Sequence, residues 1–335
     1  MNEFDFSVLQ PFIDDEYITD INYNGRHLWI DHLRKGRYVV QNFDNHHECM
    51  QLGYRFANYA NLTFNTVSPI VEAETGDLRI SLVHSSVCDD ISISIRKTPA
   101  IMRLNNRVLK KQNYAPIWLL ELLAQFVKIK SNMIVSGLPG AGKTELVKYL
   151  SQFIQPHQRV ITIEDTYEIR YRDLHPKSDC IALKVNNRFS YHDAIKACLR
   201  QRPDWMLVSE VRGNEVVNLF QSVSTGATLL STIHAPSAHH IPRRLLHMFP
   251  GVEMSNDTLY QMIFDIIDVG IHVEASISKK GVHRYIKEVV AFEIVDNKPV
   301  EHLLYKFNET DEASIKWSNK LNEKKKLYES MVKQS

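Results

Sequence analysis

The segment 137–144, which reads Gly-Leu-Pro-Gly-Ala-Gly-Lys-Thr, restricts more than any other what this chain can fold into. It follows a short apolar run at 133–136 and precedes an amphipathic stretch at 146–153. A strand, a G-x-x-x-x-G-K-T loop and a helix in this order form a phosphate-binding loop. The glycines let successive backbone N–H groups point inward, and the helix adds its positive N-terminal end. The alternative is an ordinary glycine-rich turn, and the flanking strand and helix patterns argue against it.

The loop therefore predicts a binding site for a nucleoside triphosphate. We expect Lys143 to reach the β- and γ-phosphates and the Thr144 hydroxyl to bind Mg²⁺. The residues that we expect to contact the nucleotide are Gly137, Pro139, Gly140, Ala141, Gly142, Lys143, Thr144 and Glu145.

Composition limits the class of protein. A length of 335 residues suggests two domains, and 44% hydrophobic with 24% charged residues is typical of soluble chains. A net charge of +1 is far from the large positive charge that is typical of proteins that bind nucleic acid. The four cysteines lack C-x-x-C spacing, so we expect neither a zinc site nor a disulfide framework. Because the N-terminus does not resemble a signal peptide and no long apolar run occurs, we expect a cytoplasmic protein.

Residues 1–105 predict a small mixed α/β domain. Strand-like alternation on both sides of Asn24-Gly25 indicates a hairpin, because this dipeptide forms the tight turn that joins antiparallel strands. A helix is predicted at 46–60, and further strands are predicted at 78–83 and 91–95.

Two arginines and a linker complete this region. Arg79 and Arg96 lie at or just after the predicted strands, and each is either a solvated side chain or one that reaches a neighbouring surface. The segment 106–115 is predicted to be a linker, since it is polar and prolines flank the region around it.

Residues 116–305 predict a second domain with a largely parallel sheet wrapped by helices, because strand and helix patterns alternate after the phosphate-binding loop. The segment 306–335 is predicted to be a charged C-terminal tail. Its run Lys324-Lys325-Lys326 is typical of a solvated helix face, although such a run can also contact lipid or nucleic acid.

Polar side chains follow three predicted strands of this second domain. The strand at 159–163 runs into Glu164 and Glu168, and the strand at 205–209 runs into Glu210. The strand at 228–233 ends at His234. Ligands of α/β sheets bind at the carboxyl ends of the strands, so the glutamates are candidates for binding Mg²⁺ or the attacking water. His234 at its strand end could donate a hydrogen bond to the γ-phosphate. An ordinary strand-end glutamate and a structural histidine remain the alternatives.

Together these segments resemble the secretion ATPase superfamily of type II and type IV secretion, pilus assembly and conjugation. The Walker A box is 137–144, the Asp box is 163–168, the Walker B box is 209–213 and the His box is 231–235. The segment 199–204 also matches the family's L-R-x-R-P-D. The sequences of these boxes resemble the conjugation and tight-adherence pilus branch more than they resemble retraction motors. Ser209 replaces the usual glycine before the Walker B glutamate, and Ala227 stands where the family often has histidine.

The resemblance implies a RecA-like P-loop domain preceded by the small N-terminal domain, and a Mg²⁺-dependent ATPase that uses ATP. It implies a homo-oligomer, expected to be a hexameric ring, that works with inner-membrane components at the cytoplasmic face of the membrane. We see no strong sign of direct nucleic-acid binding. An alternative is a pilus-assembly or DNA-uptake motor of the same superfamily. A nucleotide-switched ring with little turnover and a helicase-like motor are further alternatives.

The resemblance also implies roles for individual residues. Glu210 would activate water and, with Thr144, bind the metal, while Glu164 and Glu168 would assist the metal or the water. His234 and Arg212 would sense the γ-phosphate. Four arginines would stabilise charge, namely Arg79, Arg96, Arg200 and Arg202. Of these, Arg79 and Arg96 would complete the nucleotide site.

Overall fold

The computed structural model describes residues 4–213, 215–249, 254–278 and 281–333. Two units form within it. Unit 1 comprises residues 1–99 and 277–282, and unit 2 comprises residues 100–276 and 283–335. Both combine helices with a sheet, so the chain has the predicted α/β fold.

Unit 1 is built on a six-stranded sheet of order β3-β2-β1-β6-β5-β4, in which every neighbouring pair is antiparallel. A helix covers the sheet, because Leu52, Phe56 and Ala57 share one buried face that packs into the core of this unit. The predicted hairpin at Asn24-Gly25 and the predicted helix at 46–60 are confirmed. The elements are α1 (Gln10–Asp14), β1 (Ile18–Tyr23), β2 (Leu28–His32), β3 (Gly36–Val39), α2 (His46–Tyr59), β4 (Ile70–Thr75), β5 (Leu78–Val83) and β6 (Ser92–Lys97).

Unit 2 is built on an eight-stranded sheet of order β14-β13-β12-β7-β11-β10-β8-β9. The helices are α3 (Asn106–Lys111), α4 (Ile117–Lys128), α5 (Lys143–Ser151), α6 (Tyr171–Leu174), α7 (Tyr191–Leu199), α8 (Glu215–Ser224), α9 (Ile241–Leu246), α10 (Asn256–Ile266) and α11 (Asn319–Val332). The strands are β7 (Met133–Ser136), β8 (Val160–Glu164), β9 (Cys180–Lys184), β10 (Trp205–Val208), β11 (Thr228–Ile233), β12 (Val269–Ser278), β13 (Gly281–Val295) and β14 (Lys298–Lys306).

The central strands of unit 2 are parallel, which brings their carboxyl ends to one edge of the sheet. In the pairing register Ser136 lies beside Ile233, and Val208 lies beside both Ser231 and Ile163. Helices cover both faces, and separate apolar cores form on the two sides. The segments that follow β7, β8, β10 and β11 therefore meet along a single edge.

Two predicted boundaries differ in the structure. The segment predicted as a linker contains α3, whose first turn is capped because the Asn105 side chain accepts a hydrogen bond from the Val108 N–H. Leu109 of this helix is fully buried, so the segment belongs to unit 2. The predicted charged tail contains α11, which is attached to unit 2 through the buried Leu321. The sequence Lys279-Lys280-Gly281 also predicts the turn of a hairpin, and its two lysines lie outside the described residues.

No helix within the described part of the chain is long and apolar enough to cross a membrane.

Candidate functional site

The loop between β7 and α5 has the backbone conformation that its glycines allow. Gly140 and Gly142 adopt φ values of 75° and 97°, a region that side-chain-bearing residues disfavour. At Gly137 an added Cβ would lie 2.5 Å from the Val273 carbonyl oxygen, so only glycine fits there. Gly142 immediately precedes α5, and the N-terminal end of this helix therefore faces the loop. The loop residues thus form the kind of cradle that binds phosphate.

Lys143 is the cation of this cradle. Its ammonium group donates hydrogen bonds to the carbonyl oxygens of Gly137 at 3.0 Å and Leu138 at 3.3 Å, and it lies 3.3 Å from Nδ1 of His234. Burial lowers the pKa of Lys143, while the nearby carboxylates of Glu210 and Glu168 oppose this shift. Lys143 therefore lies within electrostatic range of carboxylates from two other strand ends.

Arg212 and His234 each contact one carboxylate oxygen of Glu210. Its Oε2 accepts a hydrogen bond from Arg212 Nε at 2.7 Å, and its Oε1 lies 3.0 Å from His234 Nε2. Burial and the neighbouring Lys143 lower the pKa of His234, which favours the neutral ring. Because Lys143 can only donate, Nδ1 of that ring accepts, and the ring proton lies on Nε2, where it donates to Glu210. His234 thus links the ammonium group to the carboxylate.

Arg212 extends this network to the loop after β8. Its Nη1 donates to Asp165 Oδ2 at 2.9 Å. Burial lowers the pKa of the guanidinium, but Glu210 and Asp165 outweigh this effect and raise it above its ordinary value. Asp165 belongs to the Asp box, but the sequence does not indicate its role because its partner Arg212 is 47 residues away.

Thr144 and the two Asp-box glutamates lie at the same edge. The Thr144 hydroxyl donates to Glu168 Oε2 at 3.3 Å. Glu164 lies behind this pair with 1% of its surface exposed, and its Oε2 accepts the backbone N–H groups of Glu168 and Ile169 at 2.8 and 2.7 Å. Burial raises the pKa of Glu164 to about 7, although these two backbone hydrogen bonds favour the charged form.

Two further predicted contact residues lie on or beside the loop. Pro139 is exposed at the loop tip. Glu145 lies in the first turn of α5, where its Oε1 accepts a hydrogen bond from Lys148 at 3.1 Å.

Arg79 and Arg96 lie in unit 1. They face each other in the register of β5 and β6, and Arg96 Nε donates to Asp20 Oδ1 at 2.8 Å. Arg200 and Arg202 lie on an exposed segment at the amino end of β10, whereas Glu210 follows the carboxyl end of the same strand. Within unit 2, these last two arginines are therefore not part of the cluster around Lys143.

Arg284 on β13 contacts the loop from a distant part of the chain. Its Nε donates to the Gly140 carbonyl oxygen at 3.1 Å. Because a peptide bond is planar and trans, this contact also fixes the direction of the Ala141 N–H, which donates to the Leu138 carbonyl oxygen at 3.2 Å. The residues in contact are 144 positions apart in the chain, so no local pattern points to this pair.

Comparisons with known proteins identify the family to which the chain belongs. Residues 65–279, more than half of the chain, match the family described as type II/IV secretion system protein. The type IV secretion system protein VirB11 of Brucella suis is 27% identical over 325 residues, which cover 85% of this chain and 89% of that protein. An uncharacterized Bacillus anthracis protein is 29% identical over 304 residues, with 86% and 68% covered. The Yersinia pseudotuberculosis ATPase DotB has the same fold, with a TM-score of 0.63, 16% identity, and 85% and 78% covered.

Proposed function

Since the chain belongs to the type II/IV secretion system protein family, we propose that it is a Mg²⁺-dependent ATPase motor that powers type IV secretion or conjugative transfer. The observation that supports this most directly is the convergence of Lys143, Glu210 and His234 on one edge of a parallel sheet. Phosphoryl transfer to water uses a cation that neutralises phosphate charge and a group that orients the water, and Lys143 and Glu210 supply these next to a phosphate cradle.

Lys143 binds the triphosphate in this proposal. Its ammonium group exchanges the carbonyl oxygens of Gly137 and Leu138 for phosphate oxygens, which carry more negative charge and therefore attract it more strongly. The N–H groups of the loop and of the first turn of α5 bind the remaining phosphate oxygens.

Thr144 and Glu168 fit a magnesium ion, because their oxygens already lie 3.3 Å apart and Mg²⁺ prefers hydroxyl and carboxylate ligands. Glu210 would be a further ligand or would act through bound water. When bound, Mg²⁺ neutralises charge on the transferred phosphate and its oxygens.

Glu210 orients and deprotonates the attacking water in this proposal. Arg212 and His234 hold its two oxygens in place, so the carboxylate is already oriented before reaction. His234 senses the γ-phosphate indirectly in this proposal, since its ring lies between Lys143, which binds the phosphate, and Glu210.

We further propose a homohexameric ring that binds inner-membrane components of the apparatus at the cytoplasmic face of the membrane. In this ring Arg79 and Arg96 stabilise charge at a nucleotide. Arg200 and Arg202 also stabilise charge and act across a subunit interface, because they precede the amino end of β10 whereas Glu210 of their own chain follows its carboxyl end. A pilus-assembly or DNA-uptake role is the alternative within the same family.

ATP turnover measured against protein concentration, with the mass of the particles determined on the same samples, tests this proposal. We expect turnover to rise as hexamers form, and Glu210→Gln to lower it by about 1,000-fold while nucleotide still binds. Glu309→Gln, which changes an exposed carboxylate paired with Lys306, is the matched control and should leave turnover unchanged. A monomer that binds nucleotide without turnover would instead support a nucleotide-controlled switch.

A further inference from the structure

Glu164 differs from the other carboxylates of the site in its burial. The side chain is 1% exposed, and its Oε2 already accepts two backbone N–H groups. Glu168 and Glu210, in contrast, remain partly exposed at the edge of the sheet. A carboxylate that is enclosed in this way cannot approach a phosphate or a water at the loop, so its role must be exerted through the groups that it holds.

The groups that Glu164 holds belong to the segment that carries Glu168. Residues 165–170 follow β8 without forming a helix or a strand, and their backbone N–H groups need other partners. The N–H groups of Glu168 and Ile169 both point at Glu164, which turns the chain back toward the end of β8. Ile169 is fully buried in the core behind the loop, and this fixes the far side of the turn.

The turn determines where the Glu168 side chain lies. From it, Glu168 Oε2 reaches the hydroxyl of Thr144 at 3.3 Å. A second contact supports the same segment, because Asp165 is paired with Arg212. Of these contacts, those of Glu164 act directly on the backbone of Glu168.

We propose that Glu164 is a positioning residue, which holds the backbone of Glu168 and Ile169 and thereby directs the Glu168 carboxylate to Thr144. This inference rests on the proposed ATPase function and specifies which Asp-box carboxylate faces the reacting groups. It assigns Glu164 the role of a hydrogen-bond acceptor, so the oxygen atom and its reach matter and the negative charge does not.

Two conservative variants separate reach from charge. Glu164→Gln keeps an oxygen at the position of Oε2. Its new amide N–H group can donate to the hydroxyl of Thr162, which lies on the same face of β8 and has no other partner. Glu164→Asp keeps the charge but shortens the side chain by about 1.5 Å. A positioning role therefore predicts that Gln is tolerated and Asp is not, whereas a role for the charge predicts the reverse order.

Turnover and magnesium dependence are the first measurement. We expect Glu164→Gln to stay within about 3-fold of the wild type and Glu164→Asp to lose about 100-fold, the contribution of one well-placed catalytic carboxylate. Glu164→Asp should also raise the Mg²⁺ concentration that gives half-maximal turnover. Glu293→Gln is the matched control. It neutralises a buried carboxylate on β13 that contacts the His302 ring and accepts the backbone N–H of Lys320. Turnover retained in the Asp variant and lost in the Gln variant would overturn the proposal.

Backbone hydrogen exchange of the segment 165–171 is the second measurement, and it does not depend on turnover. We expect faster exchange of the Glu168 and Ile169 amides in Glu164→Asp and unchanged exchange in Glu164→Gln, because only the Asp variant loses the acceptor. Unchanged exchange in Glu164→Asp would contradict the proposal even if the wild type proved to have no ATPase activity. The absence of turnover in a wild type whose amides respond as expected would refute the proposed function alone.

Combining each variant with Glu168→Gln gives a third measurement. If Glu164 acts only through Glu168, then adding Glu164→Asp to Glu168→Gln should lower turnover by less than about 3-fold further. Fully additive losses would show that Glu164 contributes independently of Glu168 and would overturn the proposal. Should Glu164→Asp fail to fold, Glu164→Gln decides, since lost turnover with intact amide protection contradicts a role as acceptor.

Discussion

Asp268 holds the C-terminal helix α11 to the sheet of unit 2, and removing its charge gives a stability effect that can be worked out from the structure. The carboxylate is fully buried at the end of α10, just before β12. Lys320 Nζ lies 2.9 Å from its Oδ1, and Lys324 Nζ pairs with its Oδ2. The same Oδ2 accepts the Asn132 N–H at 2.6 Å.

Replacing Asp268 by Asn removes the carboxylate charge that both ammonium groups contact. Removing one partner of a buried ion pair costs about 3–5 kcal/mol. The side chains of Lys320 and Lys324 are 19% and 28% exposed, so solvent screens part of the loss. Hydrogen bonds from Lys320 to the carbonyl oxygens of Phe264 and Ile267 also remain. We therefore expect the free energy of unfolding of unit 2 to fall by about 3 kcal/mol, at the lower end of the range.

Single lysine variants should cost less, because the second lysine still neutralises the carboxylate. We expect Lys320→Met and Lys324→Met each to cost about 1–2 kcal/mol, the value of one hydrogen-bonded charged contact. The double variant leaves Asp268 buried and unpaired, so it should cost more than the sum of the two single variants.

Urea unfolding followed by tryptophan fluorescence measures these differences. In a Trp29→Phe background the remaining tryptophans, Trp118, Trp205 and Trp317, all lie in unit 2. With a slope of about 3 kcal/mol/M for a unit of this size, Asp268→Asn should shift the midpoint by about 1 M urea. Glu309→Gln, at an exposed ion pair, should shift it negligibly. A loss below about 1 kcal/mol for Asp268→Asn, or lysine variants as costly as Asp268→Asn, would refute the reasoning.

Three further predictions concern single positions in unit 2. Gly137→Ala should abolish nucleotide binding, since its Cβ would meet the Val273 carbonyl oxygen. Gly140→Ala has open space around the added Cβ and should cost only about 1 kcal/mol of backbone strain. If the two variants bound a fluorescent ATP analogue with comparable affinities, this prediction would be contradicted. Burial lowers the pKa of His272, so below its unfolded value of 6.5 only the unfolded chain gains the proton, and stability falls as pH drops. In urea titrations between pH 5 and 7, His272→Gln should weaken this loss and leave the part due to His175 and His234, whose pKa values burial also lowers. An unchanged pH dependence would show that His272 does not contribute. Ser190→Ala should cost about 1 kcal/mol through loss of the capping box of α7, measured as a midpoint shift; no shift would show that the cap contributes little.

The cradle and the largely parallel sheet could be predicted from sequence because their signals are local. The phosphate-binding loop needs its glycines, lysine and threonine within eight residues, and these residues fix its conformation. Glu210 and His234 could be placed beside it without knowing any contact. Each follows a buried strand, and the carboxyl ends of parallel strands meet at one edge. Their partners within the edge required the structure.

The C-terminal region could not be predicted because its signals are distant. Lys324 belongs to a lysine run that is typical of a solvated helix, and nothing near it indicates a carboxylate 56 residues earlier in the chain. Asp268 lies between a helical pattern and an apolar strand, and nothing beside it indicates two lysine partners more than 50 residues later in the chain. The start of helix α3 is indicated in the sequence, since Asn105 is a good N-cap residue. The six residues that follow are too few for apolar side chains to repeat at helical spacing, so no helix was predicted there.

The roles assigned to the acidic residues from sequence treat each of them as independent, and the contacts in unit 2 argue against this. Asp165 and Glu210 share Arg212, so a change at either one alters the guanidinium that holds the other. Glu168 depends on the backbone that Glu164 holds, and Asp165 lies within the same segment. Strand ends β8 and β10 are therefore joined through side chains as well as through the sheet. Since connected residues give non-additive effects, the loss from any single substitution at this edge measures the network and not one residue's share of the reaction.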